Sequence, residues 1–347
     1  MPASAPPALV AYVGNADSSD IHVLRISPGD GAMHVLEKVP FPGMVAAGGS
    51  LPMAVSPDRR FLYVALRGEP LVVAAFRVEP ESGRLTHLGN APLADSMAYI
   101  SMDRSGRFLF GASYGGNKVA VNAVGADGAV GAVLQVMPTA PNAHAILADP
   151  ANRHVLVTSL GGDLVHQLAF DPVTGRLAAN DPPFVRLPAR TGPRHLAFHP
   201  DNGHAYLLGE LDGSVTVFGY DAEQGRLERQ QSVTIMPEGF AGRAWGADVH
   251  LDPAGAFLYA SERTSSTLSV FRVGPRDGTL VRMQCIPTET QPRSFAIDPT
   301  GRHLLVAGQL SNCLTHYAIA PDTGQLTERS RIPVGASPDW VEIIALP

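Results

Sequence analysis

The sequence contains few charged residues, only two cysteines and no long apolar run. Charged side chains make up 17% of the 347 residues, against 35 glycines and 30 prolines. This composition favours short strands joined by tight turns and argues against long helices. Cys285 and Cys313 have no CxxC spacing, so we expect neither a disulfide framework nor a zinc knuckle, and we predict that both are buried. Because no stretch of about 18 apolar residues is present, no membrane span is expected.

Further absences narrow the functional class. The net charge of −6 argues against a nucleic-acid partner, which normally requires a broad basic face. No pair of histidines has metal-ligand spacing such as HExxH, and no serine or cysteine lies in a GxSxG elbow, so we predict neither a metal site nor a covalent route. The start, MPASAPPALV, lacks the basic and apolar regions of a secretory signal. We therefore expect a cytoplasmic protein whose residues 1–8 form a frayed leader.

What the sequence does contain is a repeated phrase of two strands joined by a turn, as in PRHLAFHPDNGHAYLLGE and PRSFAIDPTGRHLLVAGQ. The copies recur every 46 to 53 residues when they are counted from the turn proline, or from Arg104 where the proline is missing. The counted positions are 57, 104, 150, 200, 253 and 299. A period of this length is typical of a propeller or another repeat array.

Each copy continues into a third and a fourth strand around a short turn of Pro, Asp and Gly, as in SVTVFGYDAEQGRLERQQ. Four short antiparallel strands per repeat indicate a propeller blade. The N-terminus supplies three strands without a first, and the C-terminal SPDWVEII supplies a first strand alone. Together they make one mixed blade, so the sequence predicts an all-β, seven-bladed propeller that forms a single domain over residues 1–347.

In a propeller the first strand of each blade lines the central channel, and the start of that strand lies beside the end of the second strand. Residues at these two places should therefore meet at one mouth of the channel. Six residues before the turn stand Leu51, Ala98, His144, Arg194, Ala247 and Arg293, followed one residue later by Pro52, Tyr99, Ala145, His195, Asp248 and Ser294. The second strands end near Arg67, Tyr114, Glu210, Glu262, Arg263 and Gln309, and Arg243 precedes an inner strand.

This predicted mouth gathers arginines, two histidines and at least one acid. Arginine suits phosphate or carboxylate because its planar fork donates two parallel hydrogen bonds, so a small anionic molecule is the expected ligand. Imidazoles and a carboxylate can move protons. Consecutive residues of a regular strand point to opposite sides, so Asp248 need not face the same way as Arg194 and Arg293. A channel that only binds ordered water would also fit this distribution.

Three longer phrases, TGPRHLAFHP, MPEGFAGRAWGADVHLDPAGAFLYASERT and PTETQPRSFAIDPTGRHLLVAGQ, resemble those of the bacterial 6-phosphogluconolactonases of the seven-bladed propeller type. The likeness extends from about Val10 to the C-terminal PDWVEI. It implies hydrolysis of 6-phospho-D-glucono-1,5-lactone to 6-phosphogluconate, in the oxidative pentose phosphate pathway, without a metal or cofactor. The active residues suspected in that family match His144, Arg194, Glu210 and Arg263.

We therefore expect Glu210, with His144 or His195, to accept a proton from the attacking water, and Arg194 to stabilise the oxyanion. Some of Arg243, Arg263 and Arg293 would hold the phosphate, while Asp248 and Gln309 would bind sugar hydroxyls or orient the arginines. Two alternatives stay open. The wider family also includes the fungal carboxy-muconate lactonizing enzyme, so another anionic substrate is one alternative, and a non-enzymatic scaffold that binds a protein partner is the other. The sequence does not indicate the oligomeric state.

Overall fold

The chain folds almost entirely into short β-strands. A computed structural model describes residues 8–27, 30–41 and 49–346, and these residues form 28 strands. The first fourteen are β1 (Leu9–Asn15), β2 (Asp20–Ile26), β3 (Met33–Pro40), β4 (Met53–Val55), β5 (Phe61–Leu66), β6 (Val72–Val78), β7 (Leu85–Pro92), β8 (Tyr99–Met102), β9 (Phe108–Ser113), β10 (Lys118–Val124), β11 (Val130–Pro138), β12 (Ala143–Ala148), β13 (His154–Ser159) and β14 (Leu164–Asp171). The remaining fourteen are β15 (Arg176–Arg186), β16 (Pro193–Phe198), β17 (His204–Gly209), β18 (Ser214–Asp221), β19 (Arg226–Thr234), β20 (Gly246–Leu251), β21 (Phe257–Glu262), β22 (Thr267–Val273), β23 (Leu280–Pro287), β24 (Pro292–Ile297), β25 (His303–Gly308), β26 (Cys313–Ile319), β27 (Leu326–Pro333) and β28 (Pro338–Ala345).

The strands form seven antiparallel sheets of four, which confirms the predicted seven-bladed propeller. Blades 1 to 6 are the successive groups of four from β4 to β27, and blade 7 has the order β28, β1, β2, β3. In blade 7 Leu9 pairs with Ala345 and Val13 with Val341, so the two ends of the chain share one sheet as predicted. The inner strands β28, β4, β8, β12, β16, β20 and β24 each contact the next around the ring. Their starts therefore converge on one mouth of the channel.

The turn that follows each inner strand is held by the residue just before the turn proline. In blade 3 the buried Asp149 accepts hydrogen bonds from the backbone N–H groups of Arg153 (2.8 Å) and His154 (3.1 Å). Asp298 does the same in blade 6, at 2.8 Å and 2.7 Å. Short acidic side chains are favoured here because they satisfy backbone donors that the tight turn leaves free. In blades 3 and 6 the Asp-Pro pair thus fixes where the second strand begins, while Ser56 and His199 precede the proline in blades 1 and 4.

Neighbouring blades are joined by apolar packing and by buried tyrosines of the second strands. Tyr12, Tyr206 and Tyr259 are fully buried. Their hydroxyls donate to the carbonyl oxygens of glycines in the outer hairpin of the next blade, at 2.8 Å, 3.0 Å and 2.9 Å. Each ring buries a large apolar area while its hydroxyl stays paired, which satisfies both demands of a buried tyrosine. These contacts fix the rotation of one blade on the next, and so the spacing of side chains around the mouth.

Other expectations from the sequence have mixed outcomes. Cys313 is buried as predicted, but Cys285 lies half-buried on the outermost strand of its blade, where only one neighbouring strand covers it. Apart from Ala8, the predicted leader lies outside the described residues, and the single-domain assignment of residues 1–347 stays a prediction. No helix of the described chain is long and apolar enough to cross a membrane.

Candidate active site

The inner strands begin at one end of the channel, which we call the arginine mouth after Arg194, Arg263 and Arg293. Arg194 and Arg293 are the second residues of β16 and β24, and Arg263 directly follows β21. Glu210 follows β17, and His144 is the second residue of β12. The structure thus brings together side chains from blades 3 to 6. The charges of all three arginines act on His144, so they share one electrostatic environment.

Bulges in the inner strands shape this mouth. The pairing of β16 with β17 slips between Pro193 and Leu196, so Arg194 and His195 share the space of one regular residue. A β-bulge breaks the alternation of side chains and re-aims them. As a result, Arg194 reaches Glu210 while the ring of His195 faces Tyr99 of another inner strand. The regular alternation of a strand does not extend through this bulge, but Asp248, one position after Ala247 in β20, contacts no arginine of the described chain, in agreement with the expectation that it need not join Arg194 and Arg293. The corresponding slips in other inner strands lie at His144, Ala247–Asp248, Arg293 and Asp339.

Glu210 is held between two arginines. Its Oε2 atom lies 3.0 Å from Arg194 Nε and 2.8 Å from Arg263 Nη2. The contact with Arg194 is an ion pair rather than a well-aligned hydrogen bond. Arg263 also donates to the backbone oxygens of Gly246 (3.0 Å) and Trp245 (3.3 Å), and Arg194 donates to that of Ala247. These contacts fix both guanidinium groups, while Glu210 Oε1 accepts no hydrogen bond from a described residue.

The two arginines are strongly desolvated. The exposed fractions of Arg194 and Arg263 are 2% and 5%. Burial is the main reason that the pKa of each guanidinium is lowered, and the charge of Arg194 lowers the pKa of Arg263 further. Glu210 offsets this only in part, because one carboxylate faces two cations. An anion, or a developing oxyanion, would find this pair poorly hydrated and already oriented.

A cavity of about 260 Å³ opens beside Glu210, and its wall includes Arg243, Trp245 and Thr264. The Cζ atom of Arg263 lies 3.9 Å from the centre of the Trp245 ring, within cation–π range. Trp245 is held in turn by its backbone N–H, which donates to the fully buried Glu262 at 2.6 Å. The repeat spacing does not predict Trp245, because this residue lies in the loop before β20. Arg243 is exposed and has no ion pair with a described residue, so its charge is free to meet an incoming anion.

A column of three histidines and an acid continues into the channel. The rings of His144 and His195 meet edge to face at 5.2 Å. His195 Nδ1 lies 2.7 Å from Asp248 Oδ1, and His250 Nε2 lies 3.2 Å from the same oxygen. His144 Nδ1 and His195 Nε2 are buried and have no partner among the described residues. The shared oxygen favours the tautomer in which His195 Nδ1 carries the proton, leaving Nε2 as an acceptor.

The charges in this column follow from burial and from Asp248. Burial and the nearby Arg194 lower the pKa of His144 far below its usual value, and they lower that of His195 to about 4. For Asp248, burial alone would raise the pKa, but the His250 and His195 imidazoles lower it well below the usual range. Burial likewise opposes the charge of His250, yet Asp248 raises its pKa. At neutral pH the two histidines nearest the mouth are therefore neutral bases.

Two residues expected to bind sugar hydroxyls or orient arginines make other contacts. The carboxylate of Asp248 contacts His195, His250 and the backbone N–H groups of Val249 and Phe295, and it contacts no arginine of the described chain. Gln309 accepts from Gln291 at 3.1 Å and donates to Ser337 at 3.2 Å. Neither side chain contacts an arginine or Glu210 among the described residues, and their roles toward the sugar stay a prediction.

The far end of the channel has a different character. A cavity of about 250 Å³ there is lined by Tyr99, Arg104, Trp340 and Glu342. Arg104 already donates to the carbonyl oxygens of Ala148 and Asp149, and burial raises the pKa of Glu342 to about 7. This end therefore has less available positive charge for binding an anion than the arginine mouth has.

Residues 8–343 match the family model described as a lactonase, 7-bladed beta-propeller. A 6-phosphogluconolactonase of Pectobacterium carotovorum is 41% identical over 97% of this chain and 99% of its own length. One of Serratia proteamaculans is 40% identical over the same shares of the two chains. Among solved structures, the periplasmic gluconolactonase of Pseudomonas aeruginosa superposes with a TM-score of 0.87 at 32% identity, covering 98% of this chain and all of that one.

Proposed function

The chain belongs to the seven-bladed β-propeller lactonase family, and on that premise we propose that it hydrolyses 6-phospho-D-glucono-1,5-lactone to 6-phosphogluconate, a step of the pentose phosphate pathway. The observation that supports this most is Glu210, held by Arg194 and Arg263 beside an open cavity. It combines a proton acceptor with two fixed cations, which is what ester hydrolysis by activated water requires.

Glu210 is the proposed general base. Its side chain is 15% exposed, whereas His144 and His195 are 7% and 6% exposed, so it is the most accessible of the three candidates. One carboxylate oxygen is fixed by the arginines, and the other is free to accept a proton from a water molecule. Fixing a base by one oxygen keeps the second in a constant orientation, which favours attack from a single direction.

The bond changes then follow in order. Glu210 takes a proton from water as the water oxygen attacks the lactone carbonyl carbon. The carbonyl oxygen becomes an oxyanion beside Arg194 and Arg263, which stabilise it because their charges are desolvated and already in place. The bond from the carbonyl carbon to the ring oxygen breaks, and Glu210 returns the proton to that oxygen. The new carboxylic acid ionises in solution, so one proton is released per lactone opened.

The histidine column in the channel can assist this reaction by accepting hydrogen bonds. His144 is neutral at pH 7 and lies next to the arginines, so it can accept a hydrogen bond from the attacking water or from a sugar hydroxyl. His195 packs against it and is oriented by Asp248. We assign the base role to Glu210 and a supporting role to His144, with His195 and Asp248 as positioning residues.

The test is the rate of opening of freshly made 6-phosphogluconolactone, measured above its spontaneous hydrolysis. We expect a large acceleration by the wild-type protein and its loss in Glu210→Gln. The matched control is Glu223→Gln, since Glu223 is exposed in a turn of blade 4. A wild-type protein that does not accelerate the reaction would rule out the proposed function.

Unphosphorylated gluconolactone is a second candidate substrate. The Pseudomonas aeruginosa protein is described as a gluconolactonase, and it shares the fold over its full length. The same assay with glucono-1,5-lactone separates the two substrates. That relative is also described as periplasmic, so the cytoplasmic location stays a prediction for this chain.

A further inference from the structure

A second group of charged residues lies across the arginine mouth from Glu210, where blades 6, 7 and 1 meet. It consists of Arg67, Arg293 and Asp339. Arg67 directly follows β5, while Arg293 and Asp339 are the second residues of the adjacent inner strands β24 and β28. Arg293 also acts electrostatically on Arg194 and Arg263, so both groups belong to one mouth.

Asp339 and Arg67 are connected through the segment that precedes β4. Asp339 Oδ1 accepts a hydrogen bond from the backbone N–H of Leu51 at 3.3 Å. The adjacent Ser50 Oγ accepts from Arg67 Nη1 at 3.0 Å, and Ser96 Oγ accepts from Arg67 Nε at 3.0 Å. Nη2 of Arg67 donates to no described residue. The guanidinium is thus fixed along one edge by two serines, and its other edge has no partner within the described residues.

The charges of this group are less balanced than those around Glu210. Arg194 and Arg263 share a carboxylate, whereas Arg67 bonds only to neutral hydroxyls within the described chain. Arg293 makes no ion pair or side-chain hydrogen bond with a described residue. Asp339 is only 1% exposed, and its Oδ2 atom has no partner among the described residues.

The one acid of the group is itself only partly ionised at neutral pH. Burial raises the pKa of Asp339 to about 7, against the opposing effects of Arg293, the Leu51 N–H and Arg67. The negative charge of Asp17 also favours the protonated form. When Asp339 is protonated, no negative charge of this group compensates the two arginines, and the carboxyl O–H of Asp339 is a buried hydrogen-bond donor. Two arginines without a paired carboxylate, beside an acid that is partly neutral, suit a phosphoryl group.

We propose that Arg67, Arg293 and Asp339 form the subsite for the phosphoryl group of the substrate, across the mouth from the Glu210 centre. This inference rests on the proposed function, and it separates two tasks that the sequence left undivided. Arg194 and Arg263 act on the lactone carbonyl, while Arg67 and Arg293 bind the phosphate at the other end of the sugar. Arg67 and Asp339 thereby become residues that determine specificity for a phosphorylated lactone.

The experiment compares two substrates that differ only in the phosphate, 6-phosphogluconolactone and glucono-1,5-lactone, with the variants Arg67→Gln and Arg293→Gln. We expect each variant to raise the KM for the phosphorylated lactone at least about 10-fold, the loss of one charge-assisted contact. The kcat for that substrate and the kcat/KM for glucono-1,5-lactone should change by less than about twofold, because uniform binding alone is lost.

Two further variants make the comparison decisive. Arg229→Gln is the matched control, since Arg229 is exposed on the outermost strand of blade 4 and contacts no charged partner in the described chain; it should leave both substrates unaffected. Arg243→Gln tests the competing location beside Glu210. A selective loss of the phosphorylated substrate in Arg243→Gln and not in Arg67→Gln would overturn the proposal. Equal losses on both substrates in Arg67→Gln and Arg293→Gln would also overturn it.

Binding of inorganic phosphate, measured by calorimetry, keeps this inference separate from the proposed function. If the wild-type protein opens neither lactone, the proposed function fails. The subsite would still be supported by phosphate binding that weakens at least about 10-fold in Arg67→Gln and Arg293→Gln. Phosphate binding that is equal in wild type and both variants would overturn the subsite, provided that thermal unfolding shows all three proteins folded.

Discussion

The imidazole of His195 and the carboxylate of Asp248 are joined by a 2.7 Å contact between Nδ1 and Oδ1, although the two residues belong to different blades. Neither side chain is more than 8% exposed. The contact orients His195 so that Nε2 remains available inside the channel, next to His144. Asp248 also influences the charge of both histidines. Burial lowers the pKa of His195 and of His250, and the carboxylate of Asp248 acts against this in each case.

Asp248→Asn tests the role of this contact. Removing the negative charge should lower the pKa of His250, which Asp248 now raises, and the amide can present a donor to His195 Nδ1 and so favour the wrong tautomer. We expect kcat to fall about 10-fold with little change in KM, the effect of a lost positioning contact. Nitrogen NMR of the imidazoles measures the tautomer and the His250 titration. The control is Asp322→Asn in an exposed turn; an unchanged His250 titration in Asp248→Asn would contradict the assigned role.

Glu210→Gln tests two roles of Glu210, as the general base and as the counter-charge of Arg194 and Arg263. Loss of the base should reduce kcat at least about 100-fold. Arg194 and Arg263 would then lie buried without a counter-charge, which should lower the free energy of unfolding by about 3 to 5 kcal/mol. Inorganic phosphate should raise the Tm of the variant more than that of wild type, since an anion restores the missing charge. A variant with wild-type kcat would show that another group accepts the proton.

The repeat made the fold and the convergence of distant side chains predictable. Five of the seven inner hairpins carry the same Pro-turn phrase, and their shared spacing is enough to predict that Arg194, Arg293 and His144 lie at one mouth. The alternation of side chains along a regular strand could not predict where the side chains of bulged residues point. The bulge between Pro193 and Leu196 depends on how β16 pairs with β17, a tertiary feature that a local pattern does not encode.

Asp339 was missed for a related reason. The last inner strand has no turn proline after it, because its hairpin partner β1 comes from the other end of the chain. Counting back from the proline therefore found six copies and passed over the seventh. Matching PDW with the PRS of Pro292–Ser294 would have located Asp339 at the position of Arg293. Arg67 and Arg293 likewise come close to each other only in the closed ring, because they belong to blades 1 and 6 on either side of blade 7.

Asp339→Asn should change the pH dependence of substrate binding. In wild type the carboxyl ionises as the pH rises through about 7, and the resulting anion should repel a phosphoryl group. The second ionisation of the substrate phosphate, at about pH 6, affects both proteins alike. We therefore expect the KM for the phosphorylated lactone to rise from pH 6 to pH 8 in wild type relative to Asp339→Asn, after subtraction of spontaneous opening. The unphosphorylated lactone serves as the control substrate. Equal pH dependence in both proteins would contradict the role of Asp339 in the subsite.

The same variant should also change stability. The folded-state pKa of Asp339, about 7, lies above the usual value of 3.8, so between these pH values the folded protein holds a proton that the unfolded chain has released. The stability that Asp339 contributes therefore declines as the pH rises from about 3.8 to about 7. Asp339→Asn should therefore be more stable than wild type at pH 8, by about 1 to 4 kcal/mol. Urea unfolding at pH 5 and pH 8 measures the difference, which should be smaller at the lower pH.

The neutral histidines contribute the opposite slope across much of the same pH range. The folded-state pKa of His195 is about 4 and that of His144 is also lowered, both below the usual 6.5. As the pH falls from about 6.5 to 4, these histidines take up protons in the unfolded chain but not in the folded protein, so the stability that they contribute declines through this window and is fully present above it. His195 alone should account for about 3 kcal/mol. Because Asp339 acts in the opposite direction over this range, the measured quantity is the difference from wild type. By urea unfolding, His195→Asn should gain stability relative to wild type as the pH falls from 7 to 4.5, whereas His34→Asn, exposed on the outer strand β3, should keep a constant difference. A decline of equal steepness in His195→Asn and wild type would mean that the channel admits enough water to hydrate a charged imidazole, and the histidine column would then lose its role as a set of neutral bases.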